Sequence, residues 1–326
     1  MNKTHILAVL MAAAALTACG KKEEPAAPVS APEVAASAAA DSAAVAASAA
    51  DAAASAAGAA VSDAASAAGA AASAAGAAVA LTKGGDKSWF FVTVDYAFGH
   101  SLEKDASDMV KANGGTVVGS VRHPLNASDF SSFILQAQNS KAQVIGLANG
   151  AQDTVNAIKA AREFGITGAK GQKVAALLMF LTDVHSLGLR QAQGLMFSEG
   201  FYWDMDDKTR AFSARFEKLH KGFKPTMVQA GVYSSVLHYL RSVAAAKTDD
   251  WKVVAQKMRE LPIDDPVMRN ASIRPDGRVI HDMYLFQVKT PAESKGAWDY
   301  YKTVSTIPAK AAFKPLADST CPLVKK

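Results

Sequence analysis

From Lys21 to Ala80 the chain offers almost no side chain larger than alanine: its branched residues between Pro25 and Ala80 are Val29, Val34, Val45, Val61 and Val79. A stretch without large apolar side chains has little to bury, so the folded part is expected to be built by the residues C-terminal to it. The unit Ser-Ala-Ala-Gly-Ala-Ala recurs at Ser55, Ser66 and Ser73. Alanine favours helix, Gly58, Gly69 and Gly76 weaken it, and no apolar stripe is available for tertiary packing. The expectation is a semi-helical, low-complexity tether over residues 20–82. The units are too short for a self-supporting repeat fold.

Ahead of the tract, Lys3, the apolar run Ile6–Leu16 and Leu16-Thr17-Ala18-Cys19 read as an export signal over residues 1–19. The last four residues resemble the lipobox of lipoprotein signals. That resemblance implies cleavage before Cys19, lipid attachment to its thiol and a membrane-anchored periplasmic protein. Gly20 in place of aspartate favours the outer membrane by resemblance to Gram-negative sorting rules. The apolar run is too short to span a bilayer.

Charge divides at the same place. Residues 1–82 carry a net −3, and the remaining 32 basic and 24 acidic residues give +8. The basic side chains are scattered along helical patterns without interleaved aromatic residues, which argues against nucleic-acid binding.

The folded part begins at Ser88-Trp-Phe-Phe-Val-Thr-Val, a buried strand by its aromatic and β-branched content, which breaks at Asp95-Tyr96 before a helical segment. Strands at 116–121, 143–148, 174–181 and near 195–201 alternate with helices, one ended by Asn113-Gly114-Gly115 and one capped by Asp129. This rhythm specifies a doubly wound, mainly parallel α/β sheet. Three helical patterns then come without a strand between them (207–220, 226–247 and 250–261), and after the turn Pro275-Asp276-Gly277 comes a last strand, 282–288. From Thr290 the chain reads as extended.

Asp95-Tyr96-Ala97-Phe98-Gly99, Phe201-Tyr202-Trp203-Asp204, Tyr233 in the helix opened by Pro225, and Pro275-Asp276-Gly277 occur in this order. On these motifs residues 83–326 resemble the leucine-binding-protein-like, type I periplasmic binding proteins of ABC transporters. The resemblance implies two α/β lobes that close on a small ligand, a branched-chain or other hydrophobic amino acid, an amide or an aromatic acid, and hand it to a permease. It implies no catalysis and no cofactor. Lobe two would comprise about 88–222 and 278–290, and residues 223–277 would be what is left of lobe one, because the alanine tract stands where the first half of lobe one is expected. Helices 226–261 would then have no sheet to cover. With Cys19 lipidated, Cys321 would be without an intramolecular partner.

Site candidates lie just past strand ends: Asp95 and Tyr96, Asn149 and Gly150, Thr182 and Asp183, and Tyr202, Trp203 and Asp204. Open α/β sheets bind ligands beyond the carboxyl ends of their strands, and an aromatic wall with a few polar groups suits a small amphipathic molecule. By the resemblance, Tyr96 matches a cleft tyrosine, Asn149 and Gly150 a cleft-facing turn, and Thr182 or Asp183 the region of an acidic group for a ligand ammonium. The same residue types serve equally as caps and packing, Asp95 as a helix cap and Trp203 as core. The pattern Ser101-x-x-Lys104 has no companion motif, and His100, His123, His185, His220, His238 and His281 show no metal-ligand spacing, so neither hydrolysis nor metal chemistry is indicated. The competing reading is a lipid-tethered remnant or interaction module that no longer closes on a ligand.

Overall fold

The computed structural model describes residues 70–166, 171–319, 321, 322 and 324. The expected export signal, Cys19 and the tract up to residue 69 lie outside the described residues. The first described element is a helix, α1, over 70–83, followed by β1 (Ser88–Val94), α2 (Ala97–Ala112), β2 (Thr116–His123), α3 (Ser131–Asn139), β3 (Val144–Ala148), α4 (Ala151–Glu163) and β4 (Lys173–Ala176). Next come α5 (Leu181–Leu187), α6 (Leu189–Ala192), β5 (Met196–Glu199), α7 (Asp207–Leu219), α8 (Met227–Ala246) and α9 (Trp251–Glu260). The chain continues through β6 (Ser272–Ile273), β7 (Val279–Ile280), β8 (Met283–Val288), β9 (Tyr301–Ile307) and α10 (Ala309–Ala312).

Seven strands form one sheet in the order β2-β1-β3-β4-β5-β8-β9; pairing is parallel as far as β5 and antiparallel from β5 to β8 and from β8 to β9. Alternation along β1 sends Trp89 and Phe91 to one face and Phe90 and Val92 to the other. The first face is covered by α1 and α2, and the second by α3, α4 and α5, giving an α/β sandwich with two apolar layers. This is the α/β architecture expected for the lobe that begins at Ser88.

The tether expectation fails over residues 70–82. These residues are the buried helix α1, in which Ala74, Ala77 and Ala78 are fully shielded. The missing side-chain volume comes from the other side of the contact, where Trp89, Phe91, Leu102, Met196, Leu285, Ile307 and Phe313 fill the layer. Small residues let the helix backbone approach the sheet closely: a Cβ on Gly76 would stand 2.5 Å from Ser198 Oγ, which itself donates to Ser73 O at 2.7 Å. The indole of Trp89 donates to Thr82 Oγ1 at 3.1 Å. The helix closes with Asp86 N–H donating to Leu81 O at 3.0 Å around Gly85, whose φ is +110°. An alanine helix with no stripe of its own is thus held by a stripe on its partner.

Two further elements depart from expectation. The last segment contains an edge strand, β9, in place of plain extended chain, and Leu181 opens α5 where strand four was expected to end. The Pro275-Asp276-Gly277 turn joins β6 to β7 as a small separate ribbon, with Gly277 at φ +80°.

The helices expected to lack a sheet pair with each other. Along α8 the buried residues are Ala230, Ser234, His238 and Ser242. Ser234 Oγ donates to Asp265 Oδ2 at 2.5 Å, His238 Nε2 donates to Met258 O at 2.8 Å, and Ser242 Oγ donates to His238 O at 2.8 Å. Every polar group on this stripe is satisfied, which is what allows it to face inward. The amino end of α8 is fixed by Tyr233 against Phe212, ring centroids 4.8 Å apart, within a small cluster with Phe201 and Val267.

Candidate ligand-binding site

The carboxyl ends of neighbouring strands β1 and β3 each feed directly into a helix. Tyr96 and Gly150 are the N-caps of α2 and α4 and share one extended backbone conformation (φ −155°, ψ 175° and φ −155°, ψ 172°). Neither contributes a side-chain cap, and the first turn of α2 has no acidic residue. Two adjacent helix amino ends therefore reach the same sheet edge; that of α4 carries Asp153 in its first turn, so the positive dipole end without an acidic side chain, where an anionic group is stabilised, is that of α2. The close approach of α2 to β1 depends on Gly99, since a Cβ there would stand 2.2 Å from Val94 O.

An apolar shelf adjoins these ends. The Tyr96 ring, 43% exposed, stacks on Phe98 with centroids 5.8 Å apart and planes 25° from parallel. A Cβ built on Gly150 would lie 3.5 Å from Leu178 Cδ2 and 3.7 Å from Phe98 Cε1, so Gly150 joins the aromatic pair to Leu178. Asp95 is exposed beside it and pairs with His100 Nε2 at 2.8 Å instead of capping α2.

Asn149 is fully buried: its Nδ2 lies 3.1 Å from His123 Nε2 and its Oδ1 accepts from Thr154 Oγ1 at 2.8 Å. His123 Nδ1 lies 2.9 Å from Pro124 O, which only accepts, so the ring proton sits on Nδ1 and Nε2 accepts from Asn149. Asn149 and His123 thus brace the ends of β3 and β2 beneath the shelf. In the sequence His123 is one of six histidines without metal-ligand spacing, expected in ordinary surface or packing roles, and the Phe130 ring packed edge-on at 4.7 Å shows its framework role.

The remaining candidates sit further along the sheet. Thr182 is exposed on the first turn of α5, and Asp183 Oδ2 accepts from Phe180 N–H at 2.9 Å as that helix's cap; burial raises its carboxyl pKa. Tyr202 and Trp203 turn toward the chain before β9. The Tyr202 hydroxyl donates to Trp298 O at 3.0 Å and accepts from Tyr300 N–H at 3.1 Å, and its buried phenol has a raised pKa. Trp203 Nε1 donates to Trp298 O at 2.8 Å, and Lys224 Nζ lies 4.5 Å from its ring centroid. Asp204 pairs with Arg210 at 2.9 Å. The structure therefore brings together Asp95, Tyr96 and Gly150, with Asn149 below, and assigns Tyr202 and Trp203 to clamping residues 298–301.

Glu199, at the end of β5, had no sequence signal. It is 1% exposed, and neither its Oε1 nor the nearby Tyr301 hydroxyl has a hydrogen-bond partner among the described residues. Burial, reinforced by the negative charge of Asp183, holds its pKa well above the ordinary glutamate value. Two cavities lie away from the shelf: one of about 260 Å³ between α1, the β6–β7 ribbon and the chain after α10, and one of about 480 Å³ near Asp86, Lys173 and β9, at the amino ends of the strands. No group of three or more His, Cys, Asp or Glu among the described residues is placed to hold a metal.

The model of the periplasmic binding protein family matches residues 26–297. The chain belongs to the periplasmic binding protein family. The match begins inside the alanine-rich tract, well before residue 83, where the motif-based resemblance begins. A Burkholderia mallei periplasmic binding protein is 53% identical with TM-score 0.72, covering 78% of this chain and 67% of its own. A branched-chain amino acid ABC transporter periplasmic ligand-binding protein from Burkholderia xenovorans is 42% identical with TM-score 0.73 and the same coverage. A solute-binding protein of an ABC transporter from Rhodopseudomonas palustris, in complex with 3,4-dihydroxybenzoic acid, shares the fold at 21% identity and TM-score 0.62, covering 74% of this chain and 65% of its own. No curated protein matches the chain.

Proposed function

We propose that this periplasmic binding protein is the solute-binding component of an ABC transporter and takes a small hydrophobic or branched-chain amino acid, or a related aromatic acid, at the Tyr96–Phe98–Gly150 shelf. The observation that carries the reading is the pairing of an exposed aromatic surface with two helix amino ends that lack side-chain caps. The apolar body of such a ligand would lie on the rings while its carboxylate faces the free N–H groups. The chain works without catalysis and delivers its ligand to a permease. In this proposal it is held in the periplasm by lipid on Cys19, with the outer membrane as the favoured site.

A second reading rests on a different observation, the apolar residues of α8 left in solvent. It takes residues 223–277 as an incomplete lobe one and the protein as a tethered remnant that binds weakly or not at all. Hinge closure needs two opposed surfaces, and residues 223–277 would supply only part of the second. A thermal-shift screen with leucine, valine, phenylalanine, 4-hydroxybenzoate and 3,4-dihydroxybenzoate separates the two. A ligand at a hundred times its Kd stabilises the folded state by about 2.7 kcal/mol, and that gain should vanish in Tyr96→Ala. No shift with any of them would leave the second reading.

A further inference from the structure

The last turn of α7 stands clear of the body of the fold. Phe212, Phe216 and Leu219 share one helix face by their spacing, and exposure climbs along it from 6% at Phe212 through a half-buried Phe216 to 82% at Leu219. No other large apolar side chain among the described residues is as exposed as Leu219. The chain then turns back sharply. Gly222 N–H donates to Glu217 O at 3.1 Å to close the helix, and Lys221 takes the left-handed position that glycine usually fills, at φ +50°. Residues 218–223 are all exposed, ending on Phe223 at 50%.

This tip is fixed at its base and carries one sign of charge. The Phe223 ring rests against Trp298 and His185, with centroids 5.4 and 6.4 Å away, and the Phe216 ring stacks on His220 at 4.1 Å. Within residues 215–224, Arg215, Lys218, Lys221 and Lys224 stand against the single carboxylate of Glu217, a net +3 with His220 neutral. Glu217 is itself paired with Lys224, at 2.5 Å, which leaves Lys218 and Lys221 exposed on either side of Leu219.

We propose that the turn between α7 and α8 is a membrane-contact element: Leu219 and Phe223 enter the headgroup layer of a bilayer while Lys218 and Lys221 pair with the phosphates of anionic phospholipids. Charge complementarity selects the occupant, since apolar tips flanked by lysines match a layer in which anionic headgroups overlie hydrocarbon. Shape selects it too. Two apolar side chains on a convex turn offer neither a groove nor the roughly 800 Å² per partner that a standard protein interface buries, whereas a lipid surface demands no complementary contour. Each lysine near an anionic surface is worth about fivefold in affinity, so the tip binds weakly by itself and serves to orient the protein on a membrane. The element lies on α7 and is separate from the ligand shelf at α2 and α4.

Cosedimentation of the full chain with vesicles of phosphatidylethanolamine and phosphatidylglycerol, titrated in lipid, reads the partition coefficient, with phosphatidylcholine vesicles as the neutral comparison. Lys218→Gln combined with Lys221→Gln should lower partitioning on the anionic vesicles at least about tenfold and leave it unchanged on the neutral ones. Leu219→Ser should lower it at least about fivefold on both. Circular dichroism and Tm should stay at wild-type values, because all three side chains are exposed. Trp251→Ser, which removes an exposed aromatic ring from α9, should bind as wild type does, and any contribution of residues 1–69 is common to every variant. A wild-type chain that does not bind anionic vesicles, tip variants that bind as wild type does, a lysine effect equal on neutral vesicles, or a loss reproduced by Trp251→Ser would each overturn the proposal. So would a concentration-dependent dimer in sedimentation velocity that Leu219→Ser abolishes, which would assign the tip to a second copy of the chain.

Discussion

Replacing Glu199 by glutamine tests the reasoning about the buried carboxyl group. Glu199 is shielded from water, makes no ion pair among the described residues and feels Asp183, so it keeps its proton in the folded protein at pH values where it is ionised in the unfolded chain. A carboxyl whose folded pKa is raised stabilises the fold least when pH is high. The stability is intact below the unfolded pKa near 4.3 and is lost as pH rises toward the folded pKa. In that window one proton is released on unfolding, so wild-type stability falls by about 1.4 kcal/mol per pH unit on account of this group. Glutamine has nearly the same shape and cannot ionise. Its advantage over wild type should therefore be close to zero at pH 4 and grow as pH rises toward the folded pKa, by no more than about 1.4 kcal/mol per pH unit, each kcal/mol being roughly 2–4 °C in Tm for a domain of this size. Paired urea titrations of the two proteins at half-unit steps from pH 4 to 8 measure the difference directly, and groups that do not interact with Glu199 cancel. An advantage independent of pH, or a glutamine variant less stable than wild type at pH 7, would refute the argument.

Gly76→Val should destabilise the fold by about 1–3 kcal/mol, because the new side chain meets Ser198 Oγ and Ile307 at the α1–sheet contact; a lowered urea midpoint checks this. Tyr202→Phe leaves Tyr300 N–H without its acceptor, at about 1–3 kcal/mol, while Trp298 O keeps the Trp203 indole as donor, and it should leave any ligand-induced Tm shift intact, which separates a clamp from a ligand contact.

The parts of this chain that could be read from the sequence are those in which an element carries its own signal. Trp89 to Val94 bury both faces and could only be a central strand, and Asn113-Gly114-Gly115 and Pro275-Asp276-Gly277 state their backbone conformations in residue types. The alanine helix could not be read in the same way, because its stabilisation is written outside it, in Trp89 and Phe91 of the next strand and in Leu285 and Phe313 far along the chain, whose volume compensates for its lack of it. Helix α8 misleads for the opposite reason. Its Val and Leu residues imply burial by pattern, but the polar stripe finds partners in Asp265 and Met258 and takes the interior.

At the site, position after a strand end correctly located the sheet edge but could not tell a surface residue from a brace. Asp95 and Asn149 occupy equivalent places after β1 and β3, yet one is open to solvent and the other is fully bonded inside. The difference depends on His123 and Thr154, whose positions are set only by folding. In the sequence the aromatic pair Tyr202-Trp203 reads as part of a ligand wall or, equally, as packing. Its partner, the backbone at Trp298, belongs to a segment whose return to the sheet through β9 the sequence did not announce.

The location of the ligand is the claim on which the functional account depends, and amide chemical-shift mapping tests it most directly. With the chain ¹⁵N-labelled and saturated by whichever of the five probe compounds gives a thermal shift, the account predicts the largest changes at Tyr96–Gly99 and Gly150–Asp153, at the amino ends of α2 and α4. Changes confined to the groove near Asp86, Lys173 and β9, or to the α8–α9 face, would contradict it.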